Sequence, residues 1–150
     1  MSEKYAIEGE NNHSSSLLDL VQITNVTTRR ARIYDFVIST QGTMADEVAT
    51  WVFDRFTTAP TDTTATPRAL DFTAPASAYT DCGTNATVAS VRSADTELMV
   101  VNVHFRAAFR WVAVPGGEIM MEVTATDGVS ILASAPSTTP LANAAIHFDE

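Results

Sequence analysis

Apolar and polar positions alternate in short runs along the chain, and turn-forming residues separate the runs. In 17–24 the later half alternates, with Leu18 and Leu20 on one side and Asp19, Val21 and Ile23 on the other. In 30–39, Arg32, Tyr34, Phe36 and Ile38 share a face. Residues 48–56, 85–92, 98–105, 107–114, 118–126, 129–134 and 144–148 read the same way, as strand-length runs rich in β-branched and aromatic side chains. No window keeps apolar residues at i, i+3, i+4 and i+7 between polar faces, so the pattern predicts no substantial helix. Eight or nine short strands at this spacing predict an antiparallel sandwich or barrel.

The connections sharpen that prediction. Pro115-Gly116-Gly117 is a turn in which Pro presets φ and Gly supplies positive φ. Asp127-Gly128 reads as a two-residue hairpin, and 42–46 as a loop or one short turn. Residues 57–69 form the longest irregular segment, thirteen residues with Pro60 and Pro67. A strand crossing the end of a Greek-key sandwich needs such a connection. A linker between two domains is the competing reading, but neither half has enough strands for its own core. The expected fold class is therefore all-β: an antiparallel β-sandwich of jelly-roll/Greek-key type, one domain over 17–150. Residues 1–16 are polar, with isolated Tyr5 and Ile7. They predict an extended N-terminal arm, disordered or ordered by lying on another surface.

Composition narrows the function. With 150 residues, 45% hydrophobic and 18% charged, the chain has material for one core. Thr and Val are abundant, whereas lysine occurs once, at Lys4. A net charge of −9 argues against direct nucleic-acid binding, which needs clustered basic residues. No apolar run approaches the ~18 residues of a membrane span, and the first residues lack a basic-then-apolar leader. The expected location is a cytosolic compartment or a particle assembled there. The lone Cys82 excludes an internal disulfide and reads as a small buried or half-buried residue.

Candidate chemistry is sparse. His13, His104 and His147 show no metal-ligand spacing. The close carboxylate pairs Glu8/Glu10, Asp46/Glu47 and Asp149/Glu150 include two in the tails, and none is singled out as an acid/base pair. No nucleophile elbow, phosphate loop or dinucleotide fingerprint occurs. The sequence therefore predicts no catalytic residue, no metal ligand and no cofactor. The segment 105–111 is the most unusual. On a strand, Phe105, Ala107, Phe109 and Trp111 would share one face and Arg106, Ala108 and Arg110 the other. Either the aromatics are core backed by exposed arginines, or the arginines meet acidic groups on a partner. The candidate partner-binding residues are Lys4, Tyr5 and Ile7 of the arm, with Arg106 and Arg110.

The segment 109–118 (FRWVAVPGGE) resembles a motif of small structural proteins of tailed bacteriophages, in which such a hairpin follows an apolar strand and precedes a short C-terminal strand. Residues 32–35 (RIYD) before 42–46 (GTMAD), then Trp51 and the Thr-rich loop ending in 67–71 (PRALD), extend the resemblance over most of 29–150. The resemblance implies a virion protein, in particular a jelly-roll capsid cement or decoration protein on the capsid exterior. It implies a homotrimer whose partner is the major capsid protein. The alternatives are a tail- or fibre-associated subunit, a carbohydrate-binding β-sandwich module and, with least support, a jelly-roll enzyme.

Overall fold

The computed structural model describes residues 2–150 except His13, Ser15, Met44, Asp95, Ala125, Pro136 and Thr138. The described residues form twelve strands: β1 (Lys4–Asn12), β2 (Leu18–Thr24), β3 (Arg32–Gln41), β4 (Val48–Phe56), β5 (Thr61–Ala65), β6 (Arg68–Ala69), β7 (Cys82–Val88), β8 (Glu97–His104), β9 (Phe109–Val112), β10 (Ile119–Met120), β11 (Gly128–Ser134) and β12 (Leu141–Asp149). They make two antiparallel sheets. Sheet A runs β10-β3-β12-β1-β6 with β9 also on β3, and sheet B runs β5-β7-β2-β11-β4-β8. The expected antiparallel β-sandwich is the fold of this chain.

The pairings follow one scheme. β1 pairs with β12, β2 with β11, β3 with β9 and β4 with β8, so the main strands behave as one long hairpin. That hairpin is rolled until β12 also meets β3 and β11 also meets β4. Successive strands of each limb therefore alternate between the two sheets.

Period-two alternation sets the core. Along β12, Ala142, Ala144, Ile146 and Phe148 are buried and the residues between them only partly so. Ile33, Phe36 and Ile38 of β3 face Trp51 and Phe53 of β4 and Val129 and Ile131 of β11 across the sandwich. Phe36 stacks on Phe53 at 5.1 Å and on Trp111 at 5.4 Å, tying both sheets and β9 into one aromatic group.

Several expectations are corrected. Residues 4–12 are not an arm: β1 pairs over nine residues with β12, and Tyr5 and Ile7 are buried in the core. The alternation fades along β1 because its later inward positions are Gly9 and Asn11. A Cβ on Gly9 would strike the Leu20 carbonyl, and the Asn11 amide donates to the carbonyls of Asp19 and Ala86. The Thr-rich 57–69 segment contains β5, which pairs with β7, and β6, which pairs with β1. The strand expected at 118–126 shrinks to two paired residues, because Met121 turns into the core. Asp127-Gly128 is not a positive-φ hairpin turn. Gly128 opens β11, where a Cβ would strike the Ile23 carbonyl and the Phe56 ring. The Pro115 turn forms as expected, with Gly116 at φ +83° and the Gly117 amide donating to the Val114 carbonyl at 2.8 Å.

Candidate interaction surface

The outer face of sheet A carries a connected polar group. A register shift between His147 and Phe148 of β12 leaves Tyr34 as an extra residue of β3 and sets Asp35 opposite His147. The Lys4 Nζ lies 5.3 Å from the centre of the Tyr34 ring. Tyr34 stacks on His147 at 6.3 Å, and His147 Nδ1 stands 3.2 Å from Asp35 Oδ2 without the alignment of a hydrogen bond. Arg110 donates to both oxygens of Asp35, which is almost wholly buried while the Arg110 side chain is largely open to solvent. This pairing and Asp35's negative charge hold the guanidinium above its ordinary pKa. Burial, followed by the charges of Asp35 and Asp149, raises the Tyr34 phenol.

This surface unites two of the residues expected from sequence, Lys4 and Arg110, through Tyr34, Asp35 and His147, which sequence did not mark. The others separate from them. Tyr5 and Ile7 point into the core, so neither reaches a partner. Tyr5 Oη donates to the Pro75 carbonyl, and its ring stacks on Phe148. Arg106 is exposed in the turn after β8, because 105–108 leave the strand before β9 begins. Arg106 and Arg110 thus do not share a strand face, and both guanidinium hydrogen bonds of Arg110 stay within the chain.

The centre of the outer face of sheet B is covered, with Gln22, Val52, Ser130 and Leu132 buried. Residues 89–92 cross it, with Val91 bridged to Thr58. Ser90 donates its amide and its hydroxyl to the buried Asp19 carboxylate, and Arg92 lies 3.4 Å from the buried Asp54. These carboxylates are structural anchors for the crossing segment. Cys82 is buried as expected, and desolvation pushes its thiol up to about 12. Among the described residues, no group of three or more His, Cys, Asp or Glu is placed to hold a metal ion.

Apolar side chains are exposed at several places, Val88, Val91 and Val123 among them. Val112, Val114 and Met120 are exposed around β9 and β10, and Val48, Leu98 and Val100 along the β8 edge of sheet B. Leu70 is half exposed and Phe72 wholly so, at the tip of the loop after β6. That loop is built rather than loose. Leu70 donates its amide to the Lys4 carbonyl, Ala74 donates to the Asp71 carbonyl, and Asp71 Oδ1 accepts from both the amide and the hydroxyl of Thr73 at 2.8 Å. The Thr73 bonds hold the Asp71 carboxyl below its usual pKa. An isolated apolar residue inside a polar loop was the available sequence signal for Phe72.

Several recesses mark the surface, among them one of about 410 Å³ beside Asp54, Ser90, Arg92 and Glu97. A further one, of about 340 Å³, lies on sheet A among Glu8, Glu10, Val37, Ser39, Asn143 and Ala145. Another, of about 210 Å³, opens at the strand ends among Asn25, Arg55, Thr57, Thr96, Glu122 and Asp127, with the buried Phe56, Met121 and Val129 beneath it. Compared with known proteins, the chain matches no family, no curated protein and no solved structure.

Proposed function

We propose that the chain is a structural subunit of a tailed-phage particle, a capsid cement protein that binds the assembled head as a homotrimer and contacts the major capsid protein. The observation that carries an assembly role is the set of exposed apolar side chains, above all the fully exposed Phe72 on an ordered loop. Exposed aromatics on ordered loops are typical anchors of protein contacts. The choice of a phage particle rests on the resemblance of 109–118, a segment that here forms β9 and the Pro115 turn at the edge of sheet A, and a tail- or fibre-associated subunit shares that resemblance. The rolled-hairpin pairing supports the jelly-roll reading of the sandwich. Function is then thermodynamic: a subunit that binds only the assembled lattice stabilises it by mass action, and repetition over many sites multiplies modest contacts. Its place is the capsid exterior, reached after assembly in the host cytoplasm. Adding purified protein to expanded heads tests this. Saturable occupancy with a raised disruption temperature of the heads is expected, and heads that neither bind the protein nor gain stability would refute the reading.

A second reading has one observation in its favour. The sheet A recess presents the carboxylates of Glu8 and Glu10, the Asn143 amide and the Ser39 hydroxyl, groups that hydrogen-bond sugar hydroxyls. A carbohydrate-binding module would use this recess, and a glycan array separates it from the assembly reading.

A further inference from the structure

β8 ends sheet B with one side unpaired, and its other side fixes the phase of its backbone. The Phe105 amide donates to the Glu47 carbonyl at 3.1 Å, and the ladder from Val48 and His104 to Phe53 and Met99 continues from there without a shift. Pairs with and without ladder hydrogen bonds alternate in an antiparallel ladder, so Val101 and Val103 direct both backbone groups at β4. Val100 and Asn102 direct theirs away. Thr50 Oγ1 donates to Asn102 Oδ1 at 2.9 Å, the close side-chain approach expected of a pair without ladder bonds. Among the described residues, the N–H and C=O of Val100 and Asn102 and the N–H of His104 meet no backbone partner, whereas the His104 carbonyl accepts from Ala107.

Proteins blunt such edges with short strands, lysine, proline or a covering loop. The other edge strands here are short: β6 and β10 have two residues each, β9 four, and β5 five with a register shift. β8 has eight residues, none of them lysine, proline or glycine. The mouth of the sandwich beside it is only half covered, with Met99, Val101 and Val103 of sheet B and Phe109 and Trp111 of sheet A partly buried. Trp111 stacks on Phe36, and Phe36 on Phe53, the ladder partner of Met99, so both rows stand on one flank. Charges mark the two ends of the edge. Glu97 is paired with Asp54, like charge beside like, and the exposed Arg106 follows the far end.

We propose that β8 takes an added antiparallel strand from another protein, an extended segment whose inward residues are apolar and cover the mouth over Val101 and Trp111. An acidic residue of that segment lies near Arg106 and a basic one near Glu97. An extended backbone matches a row of outward N–H and C=O groups at the strand repeat, and its alternate side chains supply specificity. An antiparallel segment runs from Arg106 towards Glu97, so its acidic residue comes first. The contact goes beyond the head-binding reading and does not depend on it.

The test uses the full chain and a synthetic peptide of about ten residues, the upper length of an ordinary strand, alternating valine and threonine between an N-terminal aspartate and a C-terminal lysine. Saturable binding is expected, with hydrogen exchange slowed about tenfold or more at Val100, Asn102 and His104. A peptide with its two charges exchanged should bind more weakly. Two further peptides carry N-methyl groups on one or the other set of alternate residues. One should bind, and the one whose methylated amides face β8 should lose about tenfold or more in affinity. Asn102→Pro removes one outward donor where an edge strand tolerates proline, and should lose binding with an unchanged circular dichroism spectrum. Equal binding by both methylated peptides would show a contact made by side chains alone and overturn the proposal, as would protection centred away from β8. Dimers that protect the same amides without peptide would assign the edge to a second copy and overturn it too. A folded monomer that binds none of the peptides would do the same.

Discussion

Arg110 holds Asp35 through two parallel hydrogen bonds, Nε to Oδ1 at 2.9 Å and the terminal nitrogen to Oδ2 at 2.6 Å. Asp35 lies on β3 and Arg110 on β9, so the pair locks the short strand β9 to the edge of sheet A. Arg110→Ala leaves a buried carboxylate without its main partner. Its melting temperature should fall by about 2–4 °C, and Arg110→Lys should recover only part of that loss, because an ammonium cannot make the planar two-point contact. In a double-mutant cycle with Asp35→Ala, the two losses should fall short of adding; simple additivity would show that the pair is not coupled.

Ile7 tests the assignment of 4–12 to the sandwich. As a buried core side chain it should cost about 2–5 kcal/mol when cut to alanine, measured by urea unfolding. An arm lying on a partner would give no loss in the isolated protein. Deleting 1–12 should likewise unfold the domain rather than merely abolish binding, since β12 loses a nine-residue neighbour.

Gly128→Ala should destabilise by about 1–3 kcal/mol, the usual cost of forcing extra volume into packed structure, because its methyl group meets the Ile23 carbonyl and the Phe56 ring. Gly116→Ala meets nothing within 4 Å, yet its φ of +83° makes it a backbone penalty of about 1 kcal/mol. Equal effects at the two sites would contradict the packing account of Gly128.

Cys82 makes stability fall in alkali. Burial raises the folded thiol to about 12 from an ordinary value near 9. Above that ordinary value the unfolded chain has lost the thiol proton while the folded chain keeps it, so the unfolded state binds fewer protons. The contribution is fully present below pH 9 and is lost as the pH rises towards 12. Tyr5 and Tyr79, whose phenols burial also raises, act in the same direction. Urea midpoints should drop between pH 9 and 11, and Cys82→Ala should drop less steeply. A thiol reagent at pH 8 should modify Cys82 only in denaturant.

The strands that seal the core were legible because burial on one side writes itself as alternation. β4 was read with its observed bounds, 48–56, and β11 within a residue of them. β1 was hidden, since two of its inward positions are a glycine fitted under a carbonyl and an asparagine satisfied by backbone. β5 was hidden in a threonine-rich stretch because an edge strand needs little apolar surface. Asp127-Gly128 misled because a glycine demanded by close packing looks the same in sequence as one demanded by a turn. Of the interaction surface, Lys4 was legible as the chain's one lysine and Arg110 as an arginine opposite the Phe109 and Trp111 face. Their links through Asp35 and His147 were not, because β3 and β12 lie a hundred residues apart in the chain and their register depends on a single extra residue, Tyr34.

The pairing of β1 with β12 has a consequence for biosynthesis. Until β12 has emerged from the ribosome, the first strand made lacks its full-length neighbour, and each limb of the rolled hairpin waits on the other. Folding of this domain must therefore wait until β12 has been made, and then proceeds slowly, as topologies built on distant pairings do. A nascent chain carrying unpaired β1 and β3 offers sheet edges to its neighbours on the same polysome. Expression yield should thus respond to temperature and chaperone supply more steeply than the stability of the finished protein does.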